Sequence, residues 1–372
     1  MKKNRILFVI WLLLWIVIWI AGQNPVAVLI AIASLLCEAA EIPIVRHFCR
    51  NISVDIQCSS SLQKNTETEI SMKLNNPTKF SGSRGECELL CENLLTGEKT
   101  GMRIPFALPA KSADRVQTGV SFSHCGKIAI SVRGIYAYDI FGIYRAKATM
   151  ECNTASLVLP QLYPTNLRVS PGQITDIESD EYSLYKPGFD ASETYALRSY
   201  KEGDGMKQIH WKLSQKAEEI IVREFSLPIK NSLLILMDNT KQDGSMPIQA
   251  EAAEAMGEIA ISLSMELCER NYEHHIAWMD HAKGEIKPWE ISGEEDLNLA
   301  MPEILSAGIG EDSVSIFAHM AEANMEYAHV ILLTLSGTGE GEMPMLPAET
   351  KVSVLPVGEY QKFKENGIYA EV

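Results

Sequence analysis

The chain has 372 residues, 46% of them hydrophobic and 22% charged, which leaves room for a membrane segment and two further domains of ordinary size. Its formal net charge is −15, and residues 1–50 carry five Lys/Arg against two Asp/Glu, so a balance of +3 there leaves −18 on residues 51–372. A body that acidic repels phosphate backbones, which argues against nucleic acid as a partner and leaves contact with the membrane surface to the basic flanks.

Two apolar runs come first, Ile6–Gly22 and Val26–Cys37, separated by Gln23-Asn24-Pro25. A bilayer core takes roughly 17–25 apolar residues per helix. The first run meets that length, and the second reaches it once Pro25 and the stretch to Ala40 are included. Lys2, Lys3 and Arg5 precede the pair, Arg46 and Arg50 follow it, and the turn between carries no charge. Basic residues stay on the cytoplasmic side. The pattern therefore predicts a transmembrane hairpin over residues 1–50, lodged in the lipid bilayer of the cell membrane, with residues from about 51 onward in the cytoplasm. A secretory signal peptide is the competing reading, but the first run is long for one, no small-x-small cleavage site ends it, and a second apolar run follows at once. Trp11, Trp15 and Trp19 line one helix face, placed to pack on the second helix or to lie near the interfaces. No ionisable residue interrupts either run before Glu38, which argues against a pore.

The eight cysteines are scattered, and a cytoplasmic body predicts reduced thiols. Cys87 and Cys91, the close pair, fall in a predicted strand, where residues four apart share a face roughly 13 Å from each other. That separation rules out a shared zinc ion or a disulfide and makes them packing groups.

Residues 51–160 read as seven short strands: Ile52–Gln57, Glu69–Asn75, Glu86–Leu94, Met102–Leu108, Gln117–Ser123, Lys127–Tyr136 and Ser156–Leu159. Strands at this spacing, without a helical period, predict an antiparallel β-sandwich. A polar stretch from Tyr163 to Glu193, with Pro164, Pro171, Gly172 and the acidic cluster Asp176, Glu178, Asp180 and Glu181, reads as a linker or extended arm within the segment 161–230. From 231 to 372 the period changes. Leu233–Met237 and His329–Leu335 are continuous apolar runs of the kind found in buried parallel strands. Ile248, Ala252, Met256, Ile259, Leu263 and Leu267 form the stripe of a long amphipathic helix over Ile248–Arg270. His275–Met279, Glu285–Ile291 and Val352–Pro356 add strands, and Glu294–Ser306, Ser313–Asn324 and Glu359–Glu365 add helices. Alternating strand and helix predicts an open α/β sheet with mainly parallel strands.

Between sandwich and sheet lies Leu197-Arg198-Ser199-Tyr200-Lys201-Glu202-Gly203-Asp204, then Gln208-Ile209-His210-Trp211-Lys212 and Ile221-Val222-Arg223-Glu224. This run resembles the signature of the domain of unknown function 58 family: Arg-x-Tyr, Gly-Asp, a basic residue, Ile, a polar residue and Trp, then a Val-Arg-Glu-like strand. Arg133-Gly134-Ile135-Tyr136 and Asp139-Ile140-Phe141-Gly142 resemble the family's segment ending in Asp-Pro-Phe-Gly, with Ile140 where Pro is usual and Gln208 where Arg is common. The resemblance extends over the whole chain, since family members often carry a membrane hairpin and a β-rich region before the motif. It implies a von Willebrand factor A-like domain over 231–372. It also implies partnership with a MoxR-type AAA+ ATPase, and sometimes with a membrane protein bearing a transglutaminase-like domain, in envelope or protein-maturation processes.

The residues themselves allow two readings of the signature. In the structural one, Gly203 makes a turn, Asp204 caps it, Arg198 pairs with Asp204 or Glu224, Trp211 buries its ring, and Tyr200, His210 and Arg223 complete a clasp joining the domains. In the functional one the same groups form a docking or ligand surface. A metal in an A-type domain sits beside an Asp with hydroxyl residues two and four positions later. Here Asp238 and Thr240 fit, Gln242 does not, and Thr334-Leu335-Ser336-Gly337 lacks the second Asp, so only a degenerate Mg²⁺ site is expected. The glycine-rich run Gly337–Gly341 lacks the Lys-Ser/Thr ending of a phosphate loop. Cys268, His274, His275 and His281 do not converge as zinc ligands, because the two adjacent histidines face opposite sides of a strand. The expectation is therefore a membrane-anchored, non-enzymatic interaction protein without a bound cofactor. The alternative is a ligand- or metal-dependent enzyme, or a cation-dependent binding domain, using Asp204 and Asp238 with His210.

Overall fold

The computed structural model describes residues 2–168, 182–188, 190–201, 205, 208–217, 219–228, 233–241, 250–311, 314–335 and 350–371. They form two compact units, Met1–Pro160 and Gln161–Val372.

The first unit begins with helices α1 (Lys2–Gly22) and α2 (Pro25–Asn51), both long and apolar enough to cross a membrane. The turn residues act as their types dictate. Gln23 takes a left-handed conformation, and the Asn24 side chain accepts the Val26 N–H at 3.0 Å. Pro25 opens α2 where a missing N–H costs nothing. The tryptophan stripe is partly used for helix packing: Trp11 meets Trp15 edge-on at 5.4 Å and donates to Ser34 of α2.

Below the helices are two sheets. One runs β1 (Ser53–Gln57), β3 (Thr68–Asn76) and β6 (Ser112–Val120), antiparallel in that order. The other runs β2 (Ser61–Leu62), β9 (Asn153–Val158), β7 (Gly126–Tyr138), β4 (Gly82–Asn93) and β5 (Lys99–Leu108), with β8 (Arg145–Ala148) also on β7. Alternate residues are buried on each: Ile70, Met72 and Leu74 on β3, Cys87, Leu89 and Cys91 on β4, Ile128 and Ile130 on β7. The period-2 pattern thus sets one face of each sheet inward, and the two cysteines share that face as free thiols. Burial pushes the Cys87 thiol up to about 12 and the Cys91 thiol to about 11, so both stay protonated and inert. The C-terminal half of α2 packs on β7 and β8. Its Phe48 ring lies over Gly82, where a Cβ would come within 2.2 Å of it.

The second unit is built on a five-stranded sheet, in the order β17 (Glu285–Ile291), β16 (His274–Asp280), β14 (Leu233–Asp238), β19 (His329–Thr334) and β20 (Lys351–Pro356). All pairs are parallel except β16–β17, a hairpin turned at Gly284 with φ 69°. In chain order this is 3-2-1-4-5, so the order reverses between β14 and β19. Helix α4 (Ala250–Glu269) packs on β14, β16 and β19, with α5 (Glu294–Ile304) beside it. The core formed by Leu234, Leu236, Val330 and Leu332 is covered by Ile316, Phe317 and Met320 of α6 (Ile316–Glu322). Burial on both faces explains why β14 and β19 are apolar without alternation. Ser315 caps α6, starting it three residues later than the sequence pattern suggests.

The segment 161–230 differs from the expected linker. Strand β10 (Thr165–Arg168) pairs in parallel with the closing strand β21 (Ile368–Glu371), which follows α7 (Tyr360–Asn366). A polar stripe along α4 receives the approach to β10. Gln161 N and Tyr163 Oη donate to Glu258 at 2.9 and 3.1 Å, and Tyr163 N donates to Ser262 Oγ at 2.9 Å. Thr165 Oγ1 donates to Glu266 at 3.1 Å, and Arg270 donates to Leu167 O at 2.8 Å. Glu258, Ser262 and Glu266 of α4, with Arg270 directly after its end, recur every four positions and so line one face. Farther on, β11 (Tyr182–Gly188), β13 (Ile221–Pro228) and β12 (Asp190–Ser199) make an antiparallel sheet, and α3 (Trp211–Ala217) packs on β13. The acidic cluster at 176–181 lies outside the described residues.

Candidate functional site

The signature residues assemble on the β12–α3–β13 module. Arg198 opposes Val222 across the strand pair, and Tyr200 N donates to Ile220 O at 2.9 Å. Ile209 bridges to Val222, and His210 N donates to Ile221 O at 2.8 Å, so the chain entering α3 is laced to β13. His210 Nδ1 accepts the Leu213 N–H at 3.3 Å. Its ring therefore serves as the side-chain cap of α3. Ser214 completes the knot, donating to His210 O and accepting from Ile221 N at 2.9 Å.

Trp211 corrects the structural reading, which required a buried ring: it is 66% exposed. The reason is positional. With His210 turned inward as the cap and Leu213 and Ser214 half-buried behind it, the first residue of α3 faces out. Tyr200 and Ile220 are exposed as well, and Trp211, Ser214, Gln215, Glu219 and Ile220 wall an open depression of about 430 Å³. Arg198 donates to the neighbouring Ser199 carbonyl at 3.2 Å. Gly203 and Asp204 lie outside the described residues, and so does the side chain of Glu224. Arg223 Nε is buried without a hydrogen-bond partner among the described residues.

The second location is the carboxyl end of the five-stranded sheet, where the order reverses. Open α/β sheets bind ligands in such crevices. Asp238 Oδ1 accepts the Thr240 N–H at 3.3 Å. Thr240 and Lys241 form β15, a two-residue strand parallel to β18 (Gly310–Glu311), with Lys241 on Glu311 at 3.4 Å. Asn239, fully buried between them, joins three segments. Its amide donates to Met279 O at 3.0 Å and to Gly308 O at 2.9 Å, while its Oδ1 accepts from Met279 N at 3.0 Å. Its own carbonyl accepts from His281 Nε2 and from Gly310 N, both at 3.2 Å. The His281 ring lies over Gly310, where a Cβ would come within 2.2 Å of it. Asp280 is held by Lys283 at 3.0 Å, which keeps its carboxyl below the usual range. Gln242, Ser336 and the run 337–341 lie outside the described residues. The chemistry of the described part is that of a polar latch closing the end of the sheet.

The histidines are likewise spent locally. His274 Nδ1 donates to Tyr272 O at 3.0 Å and Nε2 shares a hydrogen bond with Ser264 Oγ at 2.7 Å, and burial favours the neutral ring. Its neighbour His275 faces the other side of β16 and meets the Tyr327 ring at 5.4 Å. The sequence reading missed two residues here. Ile220 belongs to no motif, and Asn239 is one amide among many, although its place directly after a buried parallel strand was an available signal.

No family model matches the chain, and no curated protein matches it. Among solved structures, a CARDB domain from Pyrococcus furiosus, crystallised with di-metal ions, is 11% identical over 30% of this chain and 90% of its own, with a TM-score of 0.22. An alkylpurine DNA glycosylase from Pseudomonas fluorescens, bound to DNA with an abasic-site analogue, is 9% identical over 37% of this chain and 39% of its own, TM-score 0.22. A Listeria innocua β-glucosidase in complex with isofagomine is 8% identical over 26% and 16%, TM-score 0.20. At these TM-scores none of the three bears on what this chain does.

Proposed function

We propose that this chain is a membrane-anchored, non-enzymatic interaction protein. The helical hairpin holds it in the bilayer with both ends and the body on the cytoplasmic side. The module β12–α3–β13 presents its docking surface. The observation that carries the reading is Trp211, 66% exposed at the mouth of a depression shared with Ile220 and next to Tyr200. Exposed aromatic groups of this size are enriched at the centres of protein interfaces and cost a monomer solubility elsewhere. The strand order 3-2-1-4-5 with an antiparallel edge supports an A-type reading of residues 231–372, and Gln242 in place of a hydroxyl, with no second Asp in Thr334–Gly337, supports a domain that works without Mg²⁺. From the signature resemblance, the partner is a MoxR-type AAA+ ATPase, with a transglutaminase-like membrane protein as a further associate.

The test is co-purification of the tagged full-length protein from its native membrane, with and without ATP. The ATPase should be recovered in a nucleotide-dependent manner and lost with Trp211→Ala. That variant should melt within about 1 kcal/mol of wild type, because an exposed ring contributes little to folding. Equal recovery with wild type and variant would refute the assignment of the surface.

A further inference from the structure

The turn Asp139–Tyr144, between β7 and β8, is the family-like Asp-Ile-Phe-Gly motif, and it is clamped to the helical hairpin. Asn4 Nδ2 donates to Phe141 O and Arg5 Nε to Ile143 O, both at 2.9 Å. The Phe8 ring packs on Phe141 at 6.1 Å, and Arg46 donates to Tyr144 Oη at 3.2 Å. Asp139 is buried, accepts the Tyr144 N–H at 2.8 Å, and lies against the carboxyl of Glu38 on α2. Gly142, at φ 67°, makes the turn in a left-handed conformation that favours glycine. Ile140 is 71% exposed and Phe141 45% exposed, side by side.

Helix length fixes the depth of this tip. A hydrocarbon core of about 30 Å corresponds to about 20 residues of helix. Counted from the hairpin turn, that thickness reaches Lys2 on α1 and Val45 on α2. Arg46, which bonds Tyr144, comes next after Val45, and Asn4 and Arg5, which bond Phe141 and Ile143, come within three residues of Lys2. The tip therefore meets the bilayer edge, with Arg5 and Arg46 bonded to the turn and Arg145 directly after it in the chain. Beside it, α2 and the sandwich rim enclose a cavity of about 210 Å³ with Ile44, Phe48, Phe80 and Ile140 in its walls.

We infer that Ile140 and Phe141 form a third membrane contact, an apolar wedge set into the anionic leaflet beside the hairpin. It rests on the reading of α1 and α2 as membrane-spanning. Continuity with the hairpin and charge complementarity select the occupant: apolar tips enter the acyl boundary, and Arg5, Arg46 and Arg145 beside the turn attract anionic headgroups.

The test uses the full-length protein in nanodiscs of equal parts phosphatidylcholine and phosphatidylglycerol, with the photo-crosslinking residue p-benzoylphenylalanine placed singly at Ile140, Ile16 or Glu98. Glu98 bonds Asn93 at the far end of β4, roughly 36 Å from the Gly82 end at 3.3 Å per residue. Lipid adducts, read by mass spectrometry, are expected from Ile140 and Ile16 and not from Glu98, with phosphatidylglycerol above its half share at Ile140. Adducts at Ile16 with Ile140 no better than Glu98 would overturn the wedge and leave the hairpin standing. No adducts at Ile16 would overturn both. A headgroup ratio at Ile140 equal to the bulk would overturn the anionic preference.

Discussion

Replacing Asn239 tests whether the crevice end of the sheet is a latch. Asn239→Ala removes three side-chain hydrogen bonds, two to Met279 and one to Gly308, in a site with no solvent exposure. Each is worth about 1 kcal/mol net, and each buried group left unpaired costs about 1–3 kcal/mol. The expected loss is therefore about 3–5 kcal/mol, which in a unit of this size lowers the melting temperature by roughly 6–20 °C. Asn239→Asp is the sharper variant. It keeps the acceptor for Met279 N–H but turns a carboxylate toward two carbonyl oxygens, so it should cost at least as much at neutral pH and recover partly in acid, when the carboxyl regains a donor. Circular dichroism and urea midpoints of the full-length protein in detergent would read both. Stability of either variant within about 1 kcal/mol of wild type would refute the latch, since no rearrangement of an alanine can satisfy those groups.

Two other outcomes follow from buried polar contacts. Burial holds His274 and His329 down to about 4, so each binds its proton more readily in the unfolded chain. The resulting stability is complete above about pH 6.5 and drains away as pH falls toward 4. His274 alone accounts for about 3 kcal/mol across that window. Urea titrations between pH 7 and 5 should show the slope, His274→Gln should flatten it, and a slope unchanged by that variant would exclude His274 as its source. Tyr163→Phe with Glu258→Gln, measured as a double-mutant cycle, should give a coupling of about 1–2 kcal/mol through their 3.1 Å bond. A coupling near zero would mean that the approach to β10 is held by its other contacts, to Ser262, Glu266 and Arg270, and not by this bond.

Much of the fold was legible because its signals are periodic. The hairpin turn, the alternating strands of residues 51–160 and the unbroken apolar runs of β14 and β19 each follow from one rule of burial. The strand β10 was not legible. Thr165–Arg168 is short and polar, and its partners lie far away in sequence, on α4 and β21. The Glu258, Ser262, Glu266 and Arg270 stripe was present in the helix but reads as an ordinary solvated face until the segment that covers it is known. At the candidate site, the residue types in the signature were recognisable, yet their exposure was not. The inward turn of His210 decides that Trp211 faces out, and capping geometry of this kind depends on a tertiary pairing, His210 with Ile221, that no local pattern reveals. The wedge at Ile140–Phe141 was seen only as a motif, because its depth depends on contacts to Asn4 and Arg5 more than 130 positions earlier.

Crosslinking in living cells tests directly whether the surface around Trp211 docks a protein. With p-benzoylphenylalanine at Ile220, beside the depression and outside the hydrogen-bonded knot, irradiation should yield one discrete adduct with a second protein, identified by mass spectrometry as an AAA+ ATPase and diminished by Trp211→Ala. Adducts only with lipid, or none at all while the protein is folded and in the membrane, would contradict the docking surface and with it the interaction role.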